Sequence, residues 1–482
     1  MPVILFGVSL APWIVTDYLI IKLLWSVILL TLTCLCSVWL IFNVFSYFKY
    51  DVITVTKRNF DFPAPFPTVT VCNKNMFTTD FALELLVRQI NASKLNDLLD
   101  PLFLKNISQE SDYKYIVHFY KQISILMAGL INTKPVDDGM RKKIGYSLSE
   151  TLINCNFGGT ICNEDDFISV FDSTYGNCFK FNSGFNSSGQ QVDLKTTRLT
   201  DKFFGLSLVL FAGVNLDLRK LYTDYGLVIR IDNSSYRVST DDGIVVSPGF
   251  ETHIGINDRI YSYRLPRPYS NCDIEKSKKY EFNSEYYNLI IDSNTTYKQK
   301  LCTDLCIQKI LVSKCNCSYS LLFNLYNNVE SCSSIEQYGC IVKVYYDYIP
   351  NNYMNEKCLP SCPFECYQSE MKTSISFSQL VPDLFINLFD NRTNLFSAFP
   401  NRTITAEGIK GNLVKVNIYY ESLLYTEISE TPSMDIFLLL SNIGGCISLF
   451  LGVSLLSGIE IIEVMLGGLI FMCNKIKINN LK

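Results

Sequence analysis

The chain has 482 residues, enough for one large folded domain, and its composition of 48% apolar and 18% charged residues is more hydrophobic than a soluble protein requires. A net charge of −4 gives no basic footprint for nucleic acid, and the chain contains no phosphate-binding loop, dinucleotide-binding glycine motif in a βαβ context, nucleophile elbow or HExxH helix. The two histidines, His118 and His253, are too few for histidine-ligated zinc or a clustered histidine base, so no enzyme constellation remains.

Residues 1–16 are apolar but lack a basic leader and a small-residue cleavage site, so residues 1–22 read as a short segment dipping into the membrane from the cytosol, not as a signal peptide. Residues 23–48 form an uncharged run between Lys22 and Lys49. These 26 residues would extend ~39 Å as a helix, and they make the first transmembrane span. Residues 49–435 read as one extracellular domain. Eight glycosylation sequons fall there, at Asn91, Asn106, Asn186, Asn233, Asn294, Asn316, Asn391 and Asn401. Of 18 cysteines, Cys34, Cys36, Cys446 and Cys473 lie in or beside the apolar segments, which leaves 14 outside, an even number able to close seven disulfides.

Within this domain, alternating β-branched runs at 67–72, 225–232 and 413–420 predict strands of a central sheet. Helical patterning covers 81–96, 113–131 and 296–314. The last of these carries Cys302 and Cys306 four residues apart, on one helix face. Cys315 and Cys317, then Cys358, Cys362 and Cys366, continue a dense run. Outside the cell this reads as a disulfide ladder and not as a zinc site, and antiparallel nesting favours Cys302 with Cys362 and Cys306 with Cys358. The predicted fold is therefore α+β, two membrane helices around a disulfide-rich ectodomain with a central sheet and peripheral helices.

Residues 436–472 form a second apolar stretch of 37 residues, longer than one straight crossing needs, with only Glu460 and Glu463 charged. Gly444 and Gly445 fit either ordinary close helix packing or a pore-helix contact. Two carboxylates at i, i+3 share a helix face. At bilayer depth each costs about 2.5 to 3.5 kcal/mol, so they face water, a partner or an ion path, unless the span ends near Ser457 and leaves them in the headgroup region. In an oligomer they would form an acidic ring at the inner mouth. Gly452, Val453 and Ser454 would form the constriction above it, where carbonyl and hydroxyl oxygens replace part of an ion's hydration shell. Residues 473–482 form a short tail with Lys475, Lys477 and Lys482. With Lys22 before the first span, they place both ends in the cytosol.

Several motifs, in order, resemble the epithelial sodium channel and degenerin superfamily, which includes acid-sensing and peptide-gated channels. They are FPTVTVCN at 66–73, FNSG at 181–184, PGF at 248–250, RLP at 264–266, YSNC at 269–272, YESL at 420–423, Trp25 in the first span and Gly-x-Ser at 452–454. The resemblance implies a homo- or heterotrimer in the plasma membrane, each subunit shaped like a hand with palm, finger, thumb and knuckle, around a sodium-selective, amiloride-sensitive pore. It implies sodium as the permeant ion and no cofactor. It also implies the disulfides Cys72 with Cys178, Cys155 with Cys162, Cys272 with Cys366, Cys302 with Cys362, Cys306 with Cys358, Cys315 with Cys340 and Cys317 with Cys332.

The chain departs from that pattern in three places. The cytosolic His-Gly gating motif appears as Phe6-Gly7, the glutamine after the paired glycines is Cys446, and Leu438 stands where degenerins carry a small residue. Bulk at Leu438 predicts a constitutive leak. An extracellular peptide or protons are the other openers considered. No histidine lies in 47–57, and Asp241-Asp242 reads as a solvated turn or part of an acidic pocket. A silent accessory subunit and a cysteine-rich receptor merely anchored by its spans are the competing readings.

Overall fold

The structure is a computed structural model, and it describes residues 19–89, 138–214, 222, 224–232, 243–274, 282–293, 296–326, 329–381, 410–452 and 466. Among them are six α-helices of eight or more residues: α1 (Leu19–Phe48), α2 (Asp80–Gln89), α3 (Glu285–Asp292), α4 (Gln299–Cys315), α5 (Ile335–Val342) and α6 (Ile436–Leu451). Two compact units form. One comprises Met1–Val55, Arg267–Ser270 and Glu430–Lys482; the other comprises Thr56–Pro266 and Asn271–Ser429.

The second unit is built on two sheets. The larger has eight strands, in the order β1 (Val52–Phe60), β17 (Leu424–Pro432), β12 (Phe250–Tyr263), β16 (Leu413–Tyr420), β9 (Leu206–Phe211), β4 (Leu152–Phe157) and β5 (Thr160–Ile161), with β15 (Tyr367–Gln379) pairing β12 off this path. The smaller is antiparallel: β11 (Ile244–Val246), β10 (Leu227–Asp232), β3 (Thr68–Asn73), β7 (Gly176–Phe181) and β6 (Phe167–Asp172). Two-residue pairs, β2 (Ala64–Pro65) with β8 (Thr196–Thr197) and β13 (Cys272–Asp273) with β14 (Phe364–Glu365), complete the strands.

The run at 413–420 is a strand because its branched side chains alternate, and Val414, Val416 and Ile418 are fully buried. Phe66 joins the two sheets. Its ring meets Phe157 of β4 at 4.9 Å, Tyr420 of β16 at 6.0 Å and Phe181 of β7 at 6.4 Å, all edge-on. Asn182, in the left-handed region at φ 58°, donates from Nδ2 to the Phe66 carbonyl at 2.6 Å and accepts at its own carbonyl from Thr68 Oγ1 at 2.9 Å. The FPTV and FNSG motifs thus satisfy each other's buried backbone.

Strand β12 is the axis of the larger sheet. It pairs in parallel with β16 over Glu251–Ile256 and with β17 over Arg259–Tyr263, so the chain steps along it at 421–423. The YESL motif makes that step: the Glu421 N–H donates to Ile256 O at 2.9 Å and the Leu423 carbonyl accepts from Asp61 N at 3.3 Å and Arg259 Nη2 at 3.1 Å. The PGF motif opens β12. Gly249 has φ +83°, and an added Cβ would lie 2.8 Å from the Lys410 carbonyl, so no other residue fits without moving backbone.

Helices α3, α4 and α5 form a separate layer with the helical stretch Lys343–Cys358. Helix α4 starts three residues later than its sequence pattern suggests and ends where Asn316 turns left-handed at φ 54°. Its buried Gln308 binds the backbone of Tyr319 at both ends, 3.1 Å to O and 3.1 Å from N. Disulfides Cys302–Cys362 and Cys306–Cys358 tie α4 to the returning chain, and Cys315–Cys340 and Cys317–Cys332 hold its far end. Elsewhere in the unit Cys72–Cys178 joins β3 to β7, and Cys155–Cys162 and Cys272–Cys366 tie β4 and β13 to residues beside other strands.

Candidate functional site

The first unit holds the two apolar helices. Helix α1 extends four residues further toward the N-terminus than the uncharged run, because Lys22 limits the apolar segment without disfavouring helix. Residues Lys22–Phe48 are the one stretch among the described residues that is both long and apolar enough to cross a membrane as a helix. Its surface is unpaired hydrocarbon, with Leu30, Trp39, Phe42 and Phe45 exposed. The residue aligned with the family tryptophan, Trp25, is half-buried.

Helix α6 begins at an N-cap, where Asp435 Oδ1 accepts from the Leu438 N–H at 2.6 Å. It ends after Leu451. Gly452 takes up the left-handed conformation at φ 66° and donates its N–H to Ser448 O at 3.0 Å. The 37-residue apolar stretch is thus broken at the first residue of Gly-x-Ser. Val453, Ser454, Glu460 and Glu463 lie outside the described residues, as do Phe6 and Gly7, the 113–131 helix and Asp241-Asp242.

Helices α1 and α6 share a seam of small polar and thiol side chains. Asn43, almost wholly buried, donates to Trp39 O at 2.9 Å and accepts from Asn442 Nδ2 at 3.1 Å. Toward the other end Cys36 Sγ lies 3.2 Å from Cys446 Sγ, which donates to the Cys36 carbonyl at 3.7 Å. The pairings 36 with 446 and 43 with 442 run in opposite senses, so the helices are antiparallel. Leu439, 7% exposed, completes the seam from α6. Interhelical amide bonds of this kind contribute about 0.6 to 2 kcal/mol in an apolar setting.

The glycines do something else. Among the described residues, a Cβ added at Gly444, Gly445 or Gly452 would meet nothing within 4 Å. Gly444 and Gly445 therefore do not serve the α1 contact; they present bare backbone away from it. Leu438 is exposed as well. At the other end of α1 aromatic rings collect, Tyr47 on Phe48 at 5.3 Å and Tyr50 on Tyr269 at 5.5 Å, as suits a membrane–water boundary.

In the second unit, two sequon asparagines are described. Asn316 is exposed at the α4 C-cap, and Asn186 holds a turn with Nδ2 3.2 Å from Gln190 Oε1; Asn91, Asn106, Asn233, Asn294, Asn391 and Asn401 are outside the described residues. His253 sits in a polar network on β12, with Nδ1 3.3 Å from Asn417 Nδ2. There Glu251 accepts from Asn417 at 2.7 Å and pairs with Lys415 at 3.0 Å. Burial pushes the Glu251 carboxyl up, but those hydrogen bonds outweigh it and hold it below its ordinary range. In α4, burial pushes Asp304 up to about 6 against the opposing charge of Lys300.

Sequence patterning missed two sets of residues. The Asn43–Asn442 bond had a signal, since an amide in an apolar span usually has a partner. Arg259 had none. It is buried to 2% exposure on β12, paired with Asp61 at 2.9 Å and stacked on Tyr420 and Tyr425 at 5.2 and 5.5 Å.

Comparison with known proteins places these features in context. The beta subunit of the human epithelial sodium channel is 28% identical over 330 residues, 67% of this chain and 48% of that protein. The gamma subunit of Neoceratodus forsteri is 27% identical over 348 residues, 71% of this chain and 48% of its own length, and the beta-2 subunit of Xenopus laevis is 27% identical over 352 residues, 72% and 50%. The matched part of the chain spans about half the length of these curated relatives. The family model for the amiloride-sensitive sodium channel matches residues 11–464, nearly the whole sequence, and the chain belongs to that family.

Proposed function

We propose that this chain is one subunit of a trimeric, sodium-selective, amiloride-sensitive channel of the plasma membrane, with residues 436–472 as a second, pore-lining span and both ends in the cytosol. The break at Gly452 carries the proposal. A helix end leaves its last carbonyls without intrahelical partners, and in hydrocarbon each such group costs several kcal/mol. A break inside an apolar stretch is therefore stable where it lines a water-filled cavity. Carbonyls of Gly452 and Val453 and the Ser454 hydroxyl supply oxygens for a partly dehydrated sodium ion, and Glu460 and Glu463 ring the inner mouth.

The bare backbone at Gly444 and Gly445 supports close approach by a neighbouring subunit. Exposed Phe60, Phe62, Phe203 and Phe377 in the second unit support assembly there, with copies of this chain or with related subunits. Exposed Leu438 supports a constitutive leak, with an extracellular peptide or protons as openers if resting current is small. Family membership points to an ion channel and not to an enzyme.

Sodium current recorded from cells expressing this chain alone, with amiloride, acid and candidate peptides, tests the proposal. Amiloride-blocked current that vanishes in Gly452→Asp supports it. Silence alone with current on co-expression favours an accessory subunit, the reading that Cys446 in place of glutamine keeps open. Absence of current in every combination leaves an anchored receptor and sinks the channel.

A further inference from the structure

We propose that Cys36 and Cys446 are a redox modification site, a dithiol that a neutral peroxide converts to a disulfide joining α1 to α6. The two sulfurs lie 3.2 Å apart across the helix seam, and Cys36 and Cys446 are 2% and 5% exposed. A disulfide needs about 2.05 Å, so bond formation requires the two sulfurs to close by about 1 Å. Two thiolates on one tetrahedral zinc would sit about 3.8 Å apart, given Zn–S bonds of about 2.3 Å, so the observed spacing suits a direct sulfur–sulfur bond better than a metal bridge. The neighbouring thiol Cys34, two residues from Cys36, is exposed and takes no part.

Ordinary packing alone is a weak explanation for this pair. Small side chains suffice where two membrane helices approach, and glycine, alanine or serine would fill the same space. What cysteine adds is the ability to change a helix contact into a covalent tie. The Asn43–Asn442 bond holds the register in which the sulfurs meet. The chemistry balances with one peroxide, ROOH, where R is hydrogen or alkyl. One sulfur attacks the terminal peroxide oxygen, the O–O bond breaks, and ROH leaves with the thiol proton, giving a sulfenic acid. The second sulfur attacks the first, the S–O bond breaks, and water leaves with the second thiol proton. Two thiols are oxidised and one peroxide is reduced. Burial keeps charged oxidants and bulky thiols out, whereas a small neutral peroxide enters.

Trypsin isolates the site from the other bridges. Peptide 23–49 contains only Cys34 and Cys36, and peptide 416–475 only Cys446 and Cys473. Membranes from cells expressing the full chain are treated with hydrogen peroxide, free thiols are blocked with N-ethylmaleimide, and the digest is analysed without reductant. The expected product is the two peptides joined, lighter by two hydrogens than their sum, with fragmentation placing the bond at Cys36 and Cys446 and dithiothreitol separating them. Cys446→Ser loses it and Cys34→Ser/Cys473→Ser keeps it. Recovery of both peptides with Cys36 and Cys446 alkylated, or of a bond through Cys34, overturns the proposal. Fragmentation of the unmutated chain is decisive by itself, so a variant that fails to fold leaves the test intact. No step depends on sodium current, so failure of the channel reading and failure of this one are separable.

Discussion

Replacing Arg259 by Met keeps volume and stem while removing the charge, and the structure allows its cost to be worked out. The guanidinium is 2% exposed, pairs with Asp61 at 2.9 Å, and donates to the Leu423 carbonyl at 3.1 Å between two tyrosine rings. Removing one partner of a buried ion pair costs about 3 to 5 kcal/mol, and the Asp61 side chain, 36% exposed, recovers some water, which points to the lower end, about 3. The Leu423 carbonyl keeps its bond from Asp61 N but loses the Arg259 donor, and with the lost ring contacts this adds about 1 kcal/mol. Asp61→Asn should cost a comparable amount, about 3 kcal/mol, because it leaves the 2%-exposed guanidinium without its countercharge even though the rings and Leu423 stay in place. In the double variant no unpaired carboxylate remains, so its cost should fall short of the sum by about 1 to 2 kcal/mol. Thermal unfolding of the full-length protein in detergent measures this as midpoint shifts, with Arg259→Met lowered by roughly 5 °C or more. Strict additivity of the two changes, or an unshifted Arg259→Met, would refute the ion-pair account and leave Arg259 a packing residue.

Asp304 gives a pH dependence of definite sign. With its folded pKa raised to about 6, the buried carboxylate opposes folding above that pH, and the penalty is relieved as pH falls toward 3.8, its ordinary value. Asp304→Asn should therefore stabilise the protein at pH 7.5 by about 2–3 kcal/mol, seen as a raised unfolding midpoint, and flatten the pH dependence between 3.8 and about 6; parallel curves would count against this. Gly452→Ala meets no atom of the described residues within 4 Å but must hold φ 66°, at about 1 to 2 kcal/mol. It should reach the cell surface normally yet pass at least tenfold less sodium current, and unchanged current would remove Gly452 from the conducting path. Cys306→Ser/Cys358→Ser opens a 52-residue loop and should cost about 4 kcal/mol, seen as protease sensitivity confined to α4 and its partners.

Much of the framework was legible because each element's period is local. The strand at 413–420 was read at its observed bounds, and those at 67–72 and 225–232 within two residues, since branched alternation and flanking turns are written in consecutive positions. Helix α4 announced itself through cysteines four apart, and antiparallel return of the chain is the arrangement in which 302 meets 362 and 306 meets 358. What the local pattern could not carry was strand order. That β12 lies between β16 and β17, in parallel with both, follows from a step at 421–423 whose fit depends on Asp61 and Arg259, residues far apart in the chain.

The helix pair was legible to a different degree at each of its two faces. Apolar runs and the Gly-x-Ser motif mark where lipid and a backbone break belong, because hydrocarbon imposes one rule on every residue it touches. The inner face is set by contacts between residues about 400 positions apart, and an asparagine or cysteine in either run alone says only that some partner exists. Gly444, Gly445 and Gly452 show the converse: they are distinctive in sequence, yet among the described residues a Cβ added at any of them would have no neighbour within 4 Å. On the proposed channel reading, that open space would be taken by a second subunit at the paired glycines and by water and an ion at Gly452. On the same reading, one protomer would fix the α1–α6 seam while the proposed conducting path would be completed only by assembly.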